Sequence, residues 1–272
     1  VANETGNQAS RDDAGAPLIE LRGVSKKFGR QVVLRDVDLK IKAGESTVII
    51  GESGAGKSVV LKHIVRLLRP DRGSVYFHGQ RIDDMAEYQL VDVRKRFGFL
   101  FQMGALFDSL TVAENVAFPI KEHTRTKPDE IERLVAEKLT MVGLNGVQAK
   151  KPAELSGGQR KRVALARAIA LSPEVILYDE PTTGLDPIRS DVINELIRKL
   201  QRELGITSIT VTHDMASVRK VGDRVIMLHE GHFIFDGSPA AMMASGDERV
   251  RQFVEGRAGD ELLRTLTMKG KS

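Results

Sequence analysis

Cysteine is absent from all 272 residues, so no disulfide, thiolate metal site or cysteine nucleophile is available. That lack fits a cytoplasmic protein. Long apolar runs are also missing. Nothing approaches the ~20 consecutive apolar residues of a membrane-spanning helix, and the richest stretch, Val163 to Leu171, is interrupted by Arg167. A third lack is charge of one sign: 41 basic residues face 37 acidic ones, for a net +4. This balance is too even to argue for nucleic acid and leaves room for a modest pull toward anionic lipid headgroups. The first residues, Val1 to Ala16, are polar and contain no apolar segment of a secretory signal. They are expected to form a disordered leader, residues 1–16. The remaining length suits one large α/β domain, with or without a small lobe.

What is present starts with glycine. The apolar run Thr47-Val48-Ile49-Ile50 reads as a buried strand. It enters Gly51-Glu52-Ser53-Gly54-Ala55-Gly56-Lys57-Ser58, and Val59 continues a helix expected over Ser58 to Leu68. This is a complete P-loop. Gly54 and Gly56 let bare backbone wrap phosphate oxygens, Lys57 brings a point charge to the β- and γ-phosphates, and Ser58 brings a hydroxyl to Mg²⁺. A second string, Leu155-Ser156-Gly157-Gly158-Gln159, opens another helix. Two glycines and a serine at a helix N-terminus make an anion site without a lysine of its own. One chain therefore presents two half-sites for phosphate.

Further along, Val175-Ile176-Leu177-Tyr178 is a buried strand ending in Asp179 and Glu180. The carboxyl edge of an open α/β sheet is where ligands bind, so Asp179 is expected to hold Mg²⁺ and Glu180 to act as general base on the attacking water. Leu18 to Leu21, Val37 to Ile41, Val75 to Phe77, Phe97 to Phe101 and Ile209 to Thr212 read as further strands. Val225 to Leu228 and Phe233 to Phe235 read as a hairpin around Glu230-Gly231. Asp186-Pro187 reads as a helix start. Thr126-Lys127-Pro128-Asp129 reads as the capping start of a helix through Ile131, Leu134, Val135, Lys138 and Leu139, ended by Gly143. The whole is an alternating β/α chain with a helical insertion at about 103–160, a main domain over 17–245 and an extension over 246–272. Arg160-Lys161-Arg162 reads as a solvated charge run.

The P-loop, the Leu155–Gln159 string, Asp179-Glu180 and the histidine after a strand, His213, occur in the order seen in ABC ATPases, which the chain resembles over roughly residues 18 to 240. The resemblance implies a RecA-like P-loop core with an antiparallel β portion and an inserted helical subdomain. It implies ATP and Mg²⁺ as ligands, sandwiched between the P-loop of one copy and Ser156, Gly157, Gly158 and Gln159 of another. It further implies Phe28 beneath adenine, Gln102 as sensor of Mg²⁺ and water, His213 on the γ-phosphate and Asp186 at the contact between copies. The loop Thr183-Gly184-Leu185-Asp186 departs from the usual Ser-Ala-Leu-Asp at Gly184.

Within that family, Gly104-Ala105-Leu106-Phe107-Asp108-Ser109 and the Thr-Gly-Leu-Asp loop are similar to ATPases of Mla/Mce-type lipid transporters. The implied partners are an MlaE-type integral membrane permease, an MCE-domain lipid-binding protein, a small STAS-domain subunit and a second ATPase copy. The implied cargo is phospholipid, moved to maintain outer-membrane lipid asymmetry, with the ATPase peripheral on the cytoplasmic side of a bacterial inner membrane. Two alternatives are an importer ATPase for a small polar solute such as an amino acid, and a non-transport ATPase acting on nucleic acid. The tail from about Arg251, with Phe253, Leu262, Leu263 and Leu266, is expected to pack against the second copy or an accessory subunit.

Overall fold

The computed structural model describes residues 16–257; residues 1–15 of the expected leader and Leu262, Leu263 and Leu266 of the tail lie outside them. The first element pair is an antiparallel hairpin, β1 (Ile19–Phe28) and β2 (Gln31–Ile41). Its strands are longer than their apolar alternation suggests. Register shifts between Leu21, Val24, Lys26 and Lys27 break the period of two without ending the pairing. Next come β3 (Ser46–Ile50), which feeds the P-loop, and α1 (Lys57–Ile64). This helix stops four residues before the expected Leu68, because Arg66 adopts φ 57 and Leu67 N–H folds back to Lys62 O. The hairpin is completed by β4 (Arg72–Phe77) and β5 (Gln80–Arg81), giving a four-stranded antiparallel sheet in the order β2-β1-β4-β5.

A short helix, α2 (Glu87–Lys95), leads to β6 (Phe97–Leu100). The helical lobe follows as α3 (Val112–His123) and α4 (Pro128–Met141). Val112, Val116 and Ile120 on α3, and Ile131, Val135 and Leu139 on α4, repeat every four residues and are buried in one cluster. Thr111 caps α3 through the Glu114 N–H, and Glu114 returns the contact to the Thr111 N–H. At α4 the expected Thr126 cap is not made: Lys127 occupies that position without a side-chain bond, and the Thr126 hydroxyl pairs with Thr124 instead.

The central sheet then fills in: α5 (Gly157–Ala168), β7 (Val175–Asp179), α6 (Pro187–Leu204), β8 (Thr207–Val211), α7 (Met215–Val221), β9 (Arg224–His229) and β10 (His232–Gly237). Six strands run in the order β10-β9-β3-β8-β7-β6, parallel except for the β10 edge. Both faces are covered, so successive residues serve two cores. Val48, Ile50, Ile176 and Tyr178 join the helical side. Ile49, Val175 and Leu177 join α1 and the antiparallel sheet. Every strand of the parallel set except β10 ends with its carboxyl edge at the P-loop side, and this is what assembles the site.

The described chain closes with α8 (Pro239–Met243) and α9 (Glu248–Glu255). An isolated helix of α9's length is marginal in water. Val250 is fully buried in the main core, which is worth about 1.5–3 kcal/mol and fixes α9 on the body. No helix among the described residues is long and apolar enough to cross a membrane.

Candidate active site

The turn from β3 into α1 is built on glycines that the fold itself requires. A Cβ at Gly51 would lie 2.2 Å from the Leu228 carbonyl oxygen, and one at Gly56 would lie 2.7 Å from Val33 Cγ1, at φ +104. Gly56 also occupies the cap position of α1 without any capping side chain, so the Lys57 and Ser58 N–H groups at the start of the helix are not capped by a side chain, a ready anion cradle. The turn is tightened by Ala55 N–H to Glu52 O at 3.2 Å and Val59 N–H to Gly56 O at 3.0 Å. Lys57 Nζ donates to Gly51 O and Glu52 O, each at 2.8 Å. Burial pushes its pKa below the ordinary lysine value, while the carboxylates of Glu180, Asp179 and Glu52 pull the other way.

Ser58 Oγ donates to Asp179 Oδ1 at 2.7 Å, across from the end of β7 to the first turn of α1. A hydroxyl beside a carboxylate is an all-oxygen donor pair, the chemistry that suits a hard cation such as Mg²⁺, which takes only one or two protein ligands beside phosphate oxygens. One residue on, Glu180 has φ 49 and donates its N–H to Val211 O, so the chain bends at the strand end and the carboxylate turns into the cleft. His213 Nδ1 is 2.9 Å from Glu180 Oε1. Thr183 Oγ1 donates to Glu180 Oε2 at 3.2 Å, and Thr212 Oγ1 reaches the same oxygen at 3.5 Å. Three neighbours therefore aim one carboxylate.

Lys57, Ser58, Glu180 and His213 line a cleft of about 1520 Å³ with Phe28, Ser53, Gly54 and Gln102, while Asp179 is buried behind Ser58 and reaches the cleft through that hydroxyl. Phe28, at the end of β1, is 46% exposed, and Lys26 Nζ lies 5.6 Å from its ring centroid. An exposed ring on the lining of the cleft offers a face on which a base could stack.

Ser156 to Gln159 and Asp186 are not part of this cleft. Ser156 caps α5: its Oγ accepts from Gln159 N–H at 3.3 Å, and its own N–H donates to Gln159 Oε1 at 2.9 Å. Among the described residues the hydroxyl proton has no acceptor, which leaves it able to donate outward. Ser156, Gly158 and Gln159 line a separate hollow of about 220 Å³ with Arg162 and Arg189. Asp186 caps α6 through Arg189 N–H at 2.9 Å and pairs with the Arg189 guanidinium. One chain thus holds the P-loop and the helix start at Ser156 to Gln159 in separate hollows.

The expected solvated run at Arg160 to Arg162 is not observed as such. Lys161 is 6% exposed, and its ammonium donates to the carbonyls of Gln102 and Glu180. Arg160 bonds Leu155 O and Arg162 bonds Gly143 O. Burial lowers the Lys161 pKa, against the pull of Asp179 and Glu180. Lys161 ties the helix opening at Ser156 to the two backbone segments carrying Gln102 and Glu180. Its helical spacing carried the signal: Lys161 shares a face with the buried Ala164 and Leu165.

Residues 34–183 match the family model described as ABC transporter. The chain belongs to the ABC transporter family. It is an ABC ATPase: it binds ATP and couples its hydrolysis to transport. It is 45% identical over 88% of its length to a probable ribonucleotide transport ATP-binding protein, mkl, of Mycobacterium leprae, covering 69% of that protein. It is 44% identical over 89% of its length to the intermembrane phospholipid transport system ATP-binding protein MlaF of Haemophilus influenzae, covering 91% of that protein. Among solved ABC structures, the dimeric post-hydrolysis state of the cassette MJ0796 bound to ADP and Pi superposes with a TM-score of 0.76 at 37% identity, over 81% of this chain and 98% of that one. The ABC cassette of that structure is a dimer, the arrangement in which two separated half-sites can meet.

Proposed function

We propose that this chain is the ATP-hydrolysing subunit of a transporter that moves phospholipid between the inner and outer membranes of a bacterium, maintaining outer-membrane lipid asymmetry. The observation that carries this reading is the match to MlaF across nearly the full length of both proteins, 89% and 91%. The mkl relative, named for ribonucleotide transport, is matched over 69% of its length, and that cargo is the competing reading.

In this account the P-loop amides and Lys57 hold the β- and γ-phosphates, and Ser58, Asp179 and Gln102 would hold Mg²⁺. The ion would supply charge neutralisation between the phosphates. Glu180 takes a proton from the attacking water, held in place by His213, Thr183 and Thr212. In the same account His213 faces the γ-phosphate and Phe28 stacks on adenine. Ser156, Gly157, Gly158 and Gln159 of a second copy complete each site, with Asp186 at the contact between copies. Loss of the γ-phosphate then reopens the pair and moves the helical lobes.

An aromatic hollow of about 320 Å³ lies between that lobe and the central sheet, lined in part by Phe99, Phe101, Phe107 and Phe118. Beside it in sequence, Met103 is 87% exposed. Such an apolar surface supports docking of an MlaE-type permease, with an MCE-domain protein and a STAS-domain subunit completing the assembly. The chain would sit on the cytoplasmic face of the inner membrane through that contact. A complex extracted in mild detergent with this chain is expected to hydrolyse ATP several-fold faster on addition of phospholipid, and to show no stimulation by other ribonucleotides. Stimulation by ribonucleotide alone would transfer the assignment to the mkl-type cargo.

A further inference from the structure

Helix α9 turns one face to the nucleotide cleft. Arg249, Gln252, Phe253 and Gly256, spaced i, i+3, i+4 and i+7, line it together with Phe28 and the P-loop. The contacts around α9 fix which end of the cleft this is. The hairpin carrying Phe28 is joined to the β9–β10 turn by Arg35 N–H to Gly231 O at 2.9 Å. His229 and Glu230 of that turn line the cleft as well, and the charge of Glu230 acts on Arg249. Helix α9 therefore stands at the end where Phe28 offers its ring.

Stacking on a ring does not distinguish one purine from another, since every base has a π-face. Discrimination needs a polar group that reads a base edge. On the cleft face of α9, Arg249 is committed to Asp247 at 2.6 and 3.1 Å, and Arg257 to Glu255 at 2.6 Å. Gln252 is half-buried, and among the described residues its Nε2 reaches only Glu248 Oε1 at 3.3 Å, a long contact. A primary amide carries an acceptor and a donor side by side, the pattern that matches the adenine amino group and its neighbouring ring nitrogen.

Resting on the reading of this cleft as the ATP site, we propose that Gln252 is a specificity residue: it reads the adenine edge and makes the enzyme prefer ATP over GTP. Its Oε1 accepts from the adenine amino group, and its Nε2 donates to the adjacent ring nitrogen. Guanine presents a carbonyl where adenine presents that amino group, so the same amide meets a mismatched edge.

The test is competition binding of ATP and GTP to the full-length chain. The wild type is expected to prefer ATP, and Gln252→Ala to lose roughly tenfold of that preference through weaker ATP binding. Gln252→Glu is expected to lose the preference as well, because a carboxylate accepts from the adenine amino group but has no N–H to donate to the adjacent ring nitrogen. Arg251→Ala, exposed and outside the cleft lining, should match wild type. Thermal unfolding of each variant separates misfolding from lost recognition. An unchanged ATP-to-GTP ratio in folded Gln252→Ala and Gln252→Glu overturns the proposal. So does a ratio that collapses only in Gln31→Ala, since Gln31 is the other amide on the cleft. Lys57→Ala should weaken both nucleotides alike. If it weakens neither, the reading of the cleft has failed, and this proposal falls with it.

Discussion

Replacing Glu180 by glutamine is expected to slow ATP turnover by about 10²–10⁴-fold, the usual contribution of a positioned general base, while ATP still binds. The substitution keeps the side chain's size and its place between His213, Thr183 and Thr212. It removes the negative charge and the capacity to take a proton, and puts an N–H donor where one carboxylate oxygen accepted. The phosphate cradle of Gly51 to Ser58 is made by different atoms and is untouched, so nucleotide affinity persists. With ATP bound and its γ-phosphate intact, two copies should remain closed and elute as a dimer. Phosphate release, nucleotide binding and size measured on the same preparation check all three statements. Turnover equal to wild type would remove Glu180 from the role of base.

Gly157→Asp is the second large effect, and its character differs. In the P-loop, glycine is required by the chain's own packing, as the 2.2 Å approach at Gly51 shows. At Gly157 it is not. A Cβ there meets nothing closer than Leu185 Cδ2 at 3.6 Å, an ordinary contact, and the backbone is helical. A carboxylate at the first position of α5 even suits the helix dipole. The variant should therefore fold as well as wild type. Its negative charge would meet the γ-phosphate held by the other copy and displace it from the Gly157 amide. Loss of such a donor costs about 10²–10³-fold in turnover. A heterodimer of Gly157→Asp with Lys57→Ala keeps one intact composite site, built from the P-loop of the first and the Ser156–Gln159 segment of the second. Mixing the two inactive chains should thus restore ATPase activity. Failure to recover any activity from a confirmed heterodimer would contradict a site shared between copies.

Much of this was legible in the sequence, because the chemistry-bearing residues sit at strand ends and helix starts that announce themselves. The apolar runs into Gly51 and Asp179 show where the central sheet presents its carboxyl edge. The hairpin around Glu230-Gly231 appears as β9 and β10. Weakly patterned elements were not legible. Helix α2 buries only Leu90, and α7 is two turns long, so neither has a periodic stripe to read. The β1–β2 pair hides its length behind bulges. Lys161 was misread because a run of three cations suggests water, whereas helical geometry turns the middle one inward onto the carbonyls of Gln102 and Glu180. The approach of α9 to the cleft depends on a tertiary contact, anchored by Val250, that no local pattern encodes.

The most direct test of the account is purification of the complex that this chain forms in its own membranes, followed by mass spectrometry of its proteins and bound lipids. The account predicts an MlaE-type permease, an MCE-domain protein and phospholipid recovered with two copies of this chain. Recovery of a permease without phospholipid, carrying a ribonucleotide or another small polar solute, would contradict the lipid-transport assignment and leave the ABC ATPase assignment standing.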